Sequence, residues 1–281
     1  MIFVGFSGGV DSVVLLHKLK QQHNQITAIH VNHHISKNSD RWETFCREFC
    51  HAHDIHFIAA PVYMEVPSEA EARKHRYNVY RECCSEIYLA HHSDDDVETM
   101  MFKMIRGCGL TGLTGLKDVI TYDGLTIHRP LLKTTKEEIY HYATNHGLSW
   151  VTDESNSDTS YSRNYLRNKI IPAIKGKFPA FTTNMMRMKE NVQEADALLT
   201  EIALEDMKQT DMVINNIKQL SPTRRRNLIR FYIKTTVGNL PPAHQFNEFV
   251  RQIETFSNGK KPKITLCGIG IGVHHNRLST V

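Results

Sequence analysis

The chain has 281 residues, 41% of them apolar, with 34 basic and 30 acidic residues and a formal charge of +4. That length suggests about two domains, and the apolar content supports a packed core rather than a disordered polymer. No stretch is apolar for long enough to cross a membrane, and the first residues read as a strand rather than a signal peptide, so a cytoplasmic protein is expected.

The six cysteines, Cys46, Cys50, Cys83, Cys84, Cys108 and Cys267, form no C-x-x-C pair. A zinc ribbon or a redox motif is therefore poorly supported; Cys46 and Cys50, four apart on an expected helix, could face one partner, but buried free thiols are the favoured account.

Residues 2–6 form an apolar run that reads as a buried strand, and residues 13–19 read as the first turns of a helix. Between them lies Ser7-Gly8-Gly9-Val10-Asp11-Ser12. A strand, a glycine turn and a helix N-terminus make an anion site, because free backbone N–H groups and the helix dipole point at the turn. Gly8 and Gly9 allow close approach of a phosphate, and Ser7 and Ser12 add hydroxyls. Asp11 is out of place in an anion cradle unless Mg²⁺ bridges it to the phosphates. The stretch is not a Walker loop, since no Lys follows the glycines.

Residues 26–31 read as the second strand, 40–53 as a helix, and 56–62 as the third strand. Ser68 caps a helix to Cys84, residues 87–90 are the fourth strand, and 94–106 form a helix. Alternating strands and helices predict a parallel sheet of about five strands with helices on both faces, and a ligand at the carboxyl ends of the strands. The loops after Phe6, Val31 and Ala90 then face one cleft. The last of these is His91-His92-Ser93-Asp94-Asp95-Asp96, with Glu98 and Thr99 one helical turn on. Acids at a helix N-terminus serve capping, metal coordination or recognition of an amine; a metallohydrolase reading of the histidines ranks below nucleotide chemistry. Gly107 to Gly112 spells G-x-G-x-x-G but follows a helix, so its spelling carries no dinucleotide meaning, and Gly107 reads as a helix stop.

Residues 126–132 read as the last strand, and 135–146 as a helix closed by Gly147. From Thr159 to Lys189 there is no Asp or Glu, while Arg163, Arg167, Lys169, Lys175, Lys177, Arg187 and Lys189 all occur. Charged helix faces usually mix signs, so this span reads as a polyanion path. Lys175 to Pro179 marks the expected domain boundary, giving a nucleotide domain over 1–178 and a mostly helical smaller domain over 179–281. The latter holds helices over 184–208, 221–236 and 243–256 and a small hairpin at 263–273.

Ser7 to Ser12 resembles the SGGxDS signature of the PP-loop ATP pyrophosphatases, which implies an adenine nucleotide α-hydrolase-like fold. A wider ordered set resembles the bacterial tRNA(Ile)-lysidine synthetases. It comprises the loop, Val31-Asn32-His33, Glu71-Ala72-Arg73 with Arg76-Tyr77, Ala90-His91-His92 with Asp94-Asp95 and Glu98-Thr99, Arg106-Gly107, Arg129 to Leu132, Asp153 with Ser155-Asn156, and Arg163-Asn164 with Leu166-Arg167. The resemblance covers residues 1–180 well and the rest loosely. It implies ATP bound by Ser7 to Ser12, Asn32 and His33, and adenylation of the wobble cytidine of an isoleucine tRNA. Displacement of AMP by the ε-amine of free lysine follows. Asp95 is the implied lysine site, Asp11 and Glu98 the Mg²⁺ ligands, and Arg73 and Arg163 the stabilisers of phosphate charge. Arg106, Arg163, Arg167 and Lys169 are the implied tRNA contacts.

The sequence departs from the pattern at His34-Ile35-Ser36, which lacks an expected arginine, and at Asp96, where glutamine is common. Ending at Val281, it is also expected to lack the final domain of longer members. A PP-loop tRNA thiolation enzyme and a non-catalytic nucleotide- or RNA-binding module are the alternatives; the missing C-x-x-C pair weighs against the first.

Overall fold

The computed structural model describes residues 1–64, 68–154, 158–257 and 262–281. Ser155 and Asn156 of the family pattern lie outside the described residues. Two compact units divide the chain, Met1–Glu190 and Asn191–Val281.

The first unit runs β1 Ile2–Gly5, α1 Val10–Gln22, β2 Ile26–Asn32, α2 Ser39–Ala52, β3 His56–Pro61, α3 Glu69–Cys83, β4 Glu86–Tyr88 and α4 Ser93–Ile105. A 3-10 turn at Leu110–Thr114 follows, then β5 Val119–Tyr122, β6 Leu125–His128 and α5 Lys136–Asn145. A short α6 Ser162–Tyr165, one π-helical turn at Leu166–Ile170 and α7 Ile171–Lys177 lead into α8 Phe181–Thr210.

The sheet has six strands in the order β3-β2-β1-β4-β6-β5. The first five in that order are parallel, with Ile2 opposite Ile26, Val4 opposite Tyr88 and Ile87 opposite Ile127. Their apolar runs are explained by burial on both faces. Val4, Val13, Val14, Leu16 and Ile139 pack on one side, and Ile29, Tyr80, Ile87 and Ile127 on the other.

The sixth strand, β5, pairs antiparallel with β6 across an Asp123-Gly124 turn, both residues having positive φ. All four β5 residues are exposed, and the expected sheet did not include this strand, although Val119 to Tyr122 before Asp123-Gly124 is a strand and hairpin-turn signal. Its neighbour had been expected over 126–132, but the paired strand ends at His128.

The expected boundary at Lys175–Pro179 is a corner between α7 and α8 inside the first unit. The division falls at Glu190 instead, because Lys189 is still anchored in the first unit by Asp96. The second unit holds α9 Ile214–Gln219, α10 Pro222–Val237, α11 Ala243–Thr255 and a sheet of β7 Lys263–Leu266, β8 Ile269–His274 and β9 Arg277–Thr280. Its helical character was expected; the third strand was not. Ser221 caps α10, accepting from the Arg224 N–H, with Pro222 at the first helical position. Ile217, Leu228, Ile233, Phe249, Ile253 and Ile271 form its core. No helix among the described residues is long and apolar enough to cross a membrane.

Candidate active site

Strand order reverses around β1, which has β2 on one side and β4 on the other. The loops leaving β1 and β4 therefore open at the same edge, where ligands of open α/β sheets bind. The β1 loop is Ser7 to Ser12. Gly8 has φ +81°, and a Cβ there would stand 2.9 Å from the Cys46 sulfur and 3.0 Å from a Val151 methyl. Only glycine fits that turn. The Val151 N–H donates to the Gly8 carbonyl at 3.0 Å and ties the loop to the segment after α5. Ser12 Oγ donates to the Gly9 carbonyl at 2.9 Å and lies 3.1 Å from Ser7 Oγ. No side chain caps α1, whose N-cap is Gly9. Its N-terminal dipole thus faces the cleft unscreened by a cap.

The β4 loop leads into α4, whose acids are all engaged. Asp94 accepts from Lys175 Nζ at 2.5 Å and from the Lys136 backbone N–H at 2.9 Å. Burial pushes the Asp94 carboxyl up, but these two hydrogen bonds outweigh it and hold it below the usual carboxylate range. Asp95 accepts the His92 backbone N–H at 3.1 Å and pairs with Arg167 at 3.1 Å. Glu98, almost fully buried, takes Arg167 Nε at 2.7 Å and Arg163 at 3.5 Å. Burial, and after it the Asp95 charge, raise the Glu98 pKa against the pull of the two arginines.

Asp96 does something different. It is fully buried, pairs with buried Lys189 at 2.5 Å and accepts the Leu116 N–H at 2.6 Å. Lys189 also donates to the Leu116 carbonyl at 2.7 Å. The backbone of Gly115, with φ +66°, leaves room for the Asp96 carboxylate where a Cβ would collide. Asp96 anchors the turn after the glycine-rich loop and faces no cleft.

The basic span over 159–189 is therefore largely neutralised within its own unit. Arg163, Arg167, Lys175 and Lys189 are partnered by the four acids of α4, while Lys169, Lys177 and Arg187 remain exposed. Four of the seven cations in the span read as a polyanion path therefore have acidic partners in α4. Charge pairing across a fold is invisible when the acids sit more than sixty residues upstream, at 94–98.

Of the remaining predicted residues, Asn32 ends β2 and His33 follows it at the same edge, Arg73 lies in the first turns of α3, and Arg106 follows the far end of α4. The Asn32 side chain donates to Asp40 and Glu43, both at 3.1 Å, and accepts the His34 N–H at 3.0 Å, so it organises its own loop. Both ring nitrogens of His33 are buried without a hydrogen-bond partner. Burial, then the Arg76 charge, push His33 down to about 4. Arg73 stacks over the Tyr77 ring at 4.8 Å and donates to its hydroxyl at 3.1 Å. Arg106 is exposed over Phe102 at 5.3 Å, and Arg163 lies over the same ring at 5.2 Å.

One residue of the family pattern had no role assigned to it, and one residue was missed. Buried Arg129 donates through Nε to His91 Nδ1 at 3.3 Å and through Nη1 to the Lys117 carbonyl at 2.7 Å. Burial, with the Arg129 and Arg73 charges, pushes His91 down to about 4 against Asp95. A neutral His91 is the acceptor that this bond requires. The second is Lys136, which grips both Asp11 oxygens at 2.6 and 2.7 Å. Arg129 stands in the Arg129 to Leu132 segment of the family pattern, whereas Lys136 carries no local motif and is recognised only by its contact with Asp11.

A magnesium cage built from Asp11 and Glu98 does not fit this arrangement. Asp11 faces Lys136 and His92, while Glu98 faces Arg163 and Arg167. No group of three or more His, Cys, Asp or Glu among the described residues is arranged to hold a metal by itself. Asp11 alone, beside bound phosphate oxygens, suits the one-carboxylate mode that Mg²⁺ accepts.

A glycine loop at the topological switch of a parallel sheet defines a PP-loop nucleotide-binding domain, and residues 1–174 match the family model of the PP-loop domain. Residues 213–279 match the model of the TilS substrate binding domain. The chain is 38% identical over 266 residues to the tRNA(Ile)-lysidine synthase of Nitrosomonas europaea, covering 89% of this chain and 58% of that protein. It is 36% identical to the tRNA(Ile)-lysidine synthase of Legionella pneumophila strain Lens, covering 90% and 62%. Against that of Actinobacillus pleuropneumoniae serotype 3 it is 31% identical, covering 98% and 68%. The chain belongs to the tRNA(Ile)-lysidine synthase family. It spans 58% and 62% of the length of the first two relatives. A solved U34-tRNA thiolase from Methanococcus maripaludis, with its [4Fe-4S] cluster, shares the fold at TM-score 0.57 and 18% identity, covering 69% of this chain and 72% of that one.

Proposed function

We propose that the chain catalyses ATP-dependent ligation of lysine to C2 of the wobble cytidine of an isoleucine tRNA. The observation that carries this reading is the pairing, at one sheet edge, of an uncapped phosphate loop with a helix N-terminus bearing Asp94 and Asp95. The loop suits an anion, and the acids suit an ammonium. Family membership and the order of the two matched domains support the same reading.

In the proposed reaction the β- and γ-phosphates of ATP lie in the Ser7 to Ser12 cradle. The cytidine O2 attacks the α-phosphorus, the bond to the β-phosphate oxygen breaks, and pyrophosphate leaves. Arg73 and Arg163 stabilise phosphate charge with planar forks. Asn32 and His33 line the nucleoside side, where the unpartnered His33 ring offers a hydrogen bond. Mg²⁺ bound through Asp11 would neutralise phosphate charge when present.

Asp95 then receives the lysine ammonium and takes part in its deprotonation; the freed ε-amine attacks C2 and AMP leaves with O2. Arg106, Arg167 and Lys169, together with the second unit, contact the tRNA. Six unpaired cysteines suit a reducing cytoplasm.

The test is pyrophosphate release by the purified chain. Release that requires tRNA, followed by AMP release that requires lysine, supports the reading. Transfer of sulfur to the tRNA instead would establish the thiolation alternative, and ATP binding with no turnover the non-catalytic one.

A further inference from the structure

The phosphate loop contains a contradiction that its own sequence does not resolve. Asp11 sits in the first turn of α1, in a cradle shaped for anions, and no lysine follows the glycines. A bare carboxylate there opposes phosphate binding. The fold supplies the missing cation from elsewhere: Lys136, at the first position of α5 and 125 residues away in sequence, binds both Asp11 oxygens at 2.6 and 2.7 Å. Its backbone is held independently, because its N–H donates to Asp94 at 2.9 Å, and Thr135 with Glu138 forms a capping box around it. Its ammonium lies 5.2 Å from the Tyr140 ring, and its side chain is about a third exposed. The stem is thus fixed while the charged tip stays at the open rim of the cradle.

We propose that Lys136 is the phosphate-binding lysine of this loop. Paired with Asp11, it neutralises that carboxylate. When a triphosphate or pyrophosphate enters, the ammonium turns from the carboxylate to a phosphate oxygen and holds the leaving group. This rests on the ATP reading above and adds a residue to it. The exchange needs no backbone movement, since a lysine stem has four rotatable bonds and Asp11 and the phosphate compete for one ammonium.

The experiment is calorimetric titration of the full chain with inorganic pyrophosphate in EDTA, which removes divalent cations, alongside thermal midpoints. Lys136→Met is expected to bind about tenfold more weakly, the loss of one charge-assisted hydrogen bond. Lys136→Arg should stay close to the unmodified chain. Asp11→Asn, which frees the lysine, should bind pyrophosphate more tightly than the unmodified chain. Asp11→Asn/Lys136→Met should fall below Asp11→Asn by the same factor.

If the double variant matches Asp11→Asn, Lys136 is only the counter-ion of Asp11 and the proposal is overturned. Folded Lys136→Met binding at the unmodified affinity overturns it equally. Should Lys136→Met not fold, Lys136→Gln takes its place with the same expectation. Absence of ATP and pyrophosphate binding by the unmodified chain would sink the ATP reading, and this inference with it.

Discussion

The N-termini of α1 and α4 open on the same edge of one sheet, yet they are built for opposite partners. The α1 terminus has no side-chain cap; its first turn offers backbone N–H groups and a single acid, and a lysine from α5 silences that acid. The α4 terminus has three consecutive aspartates, one of which accepts the His92 N–H, and its acids hold Lys175, Lys189, Arg163 and Arg167. Both share the same dipole. What differs is who satisfies it: an uncapped cradle suits an anion, whereas a self-capped acidic terminus attracts cations. The two ends of the proposed reaction, a triphosphate and an amine, call for this contrast.

Removing the acid from the α1 side should produce the largest effect. Asp11→Ala is expected to abolish formation of adenylated tRNA while the chain stays folded. Pyrophosphate formation at the unmodified rate by a folded variant would show that Asp11 is a turn residue without a role towards phosphate or Mg²⁺.

Asp95→Asn, on the α4 side, should separate the two steps. ATP-dependent adenylation of tRNA continues, lysine transfer is crippled, and adenylated tRNA accumulates or hydrolyses. Loss of both steps together would assign Asp95 to the ATP end and erase the contrast between the helices.

Next in size is the buried pair that serves neither step. Lys189→Met leaves Asp96 charged and unpaired in the core, which costs on the order of 3–5 kcal/mol. Urea unfolding of the variant measures this; a loss below about 1 kcal/mol, the level of an exposed pair, would contradict the burial argument.

A smaller effect is expected at Arg163 and Arg167. Replacing both with Ala should weaken tRNA binding and lower the salt slope by about one unit for each lost phosphate contact. Because Glu98 already engages both, an unchanged slope would mean that they serve the acids and not the tRNA.

The smallest effect is pH-dependent. The Asp94 carboxyl is held below its ordinary range, so its stabilisation is present above the ordinary carboxylate pKa and is lost as pH falls through the folded value. The stability gap between the unmodified chain and Asp94→Asn should shrink as unfolding is repeated from neutral to acidic pH. A gap that is constant with pH would remove the Lys175 and Lys136 contacts as its cause.

The alternating elements and the phosphate loop were legible because their signals are local: apolar runs, a cap at Ser68, a glycine turn after a strand. Strand β5 was absent from the expected sheet although Val119 to Tyr122 and Asp123-Gly124 carry a local hairpin signal; an edge strand exposed at every residue shows no alternation of buried and polar positions. Asp96 was grouped with its neighbours by spacing alone. One helical step turns it from the cleft into the core, where Lys189 meets it.

By itself the sequence determined the α/β order of the first unit, the place of the cradle and the acidic start of α4. Each depends on contacts within a turn or two of the backbone. The tertiary structure alone decided which cation answers which acid: Lys136 to Asp11, Arg167 to Asp95 and Glu98, Lys189 to Asp96. Coulomb attraction depends on separation in space and on burial, neither of which is written in the spacing along a chain.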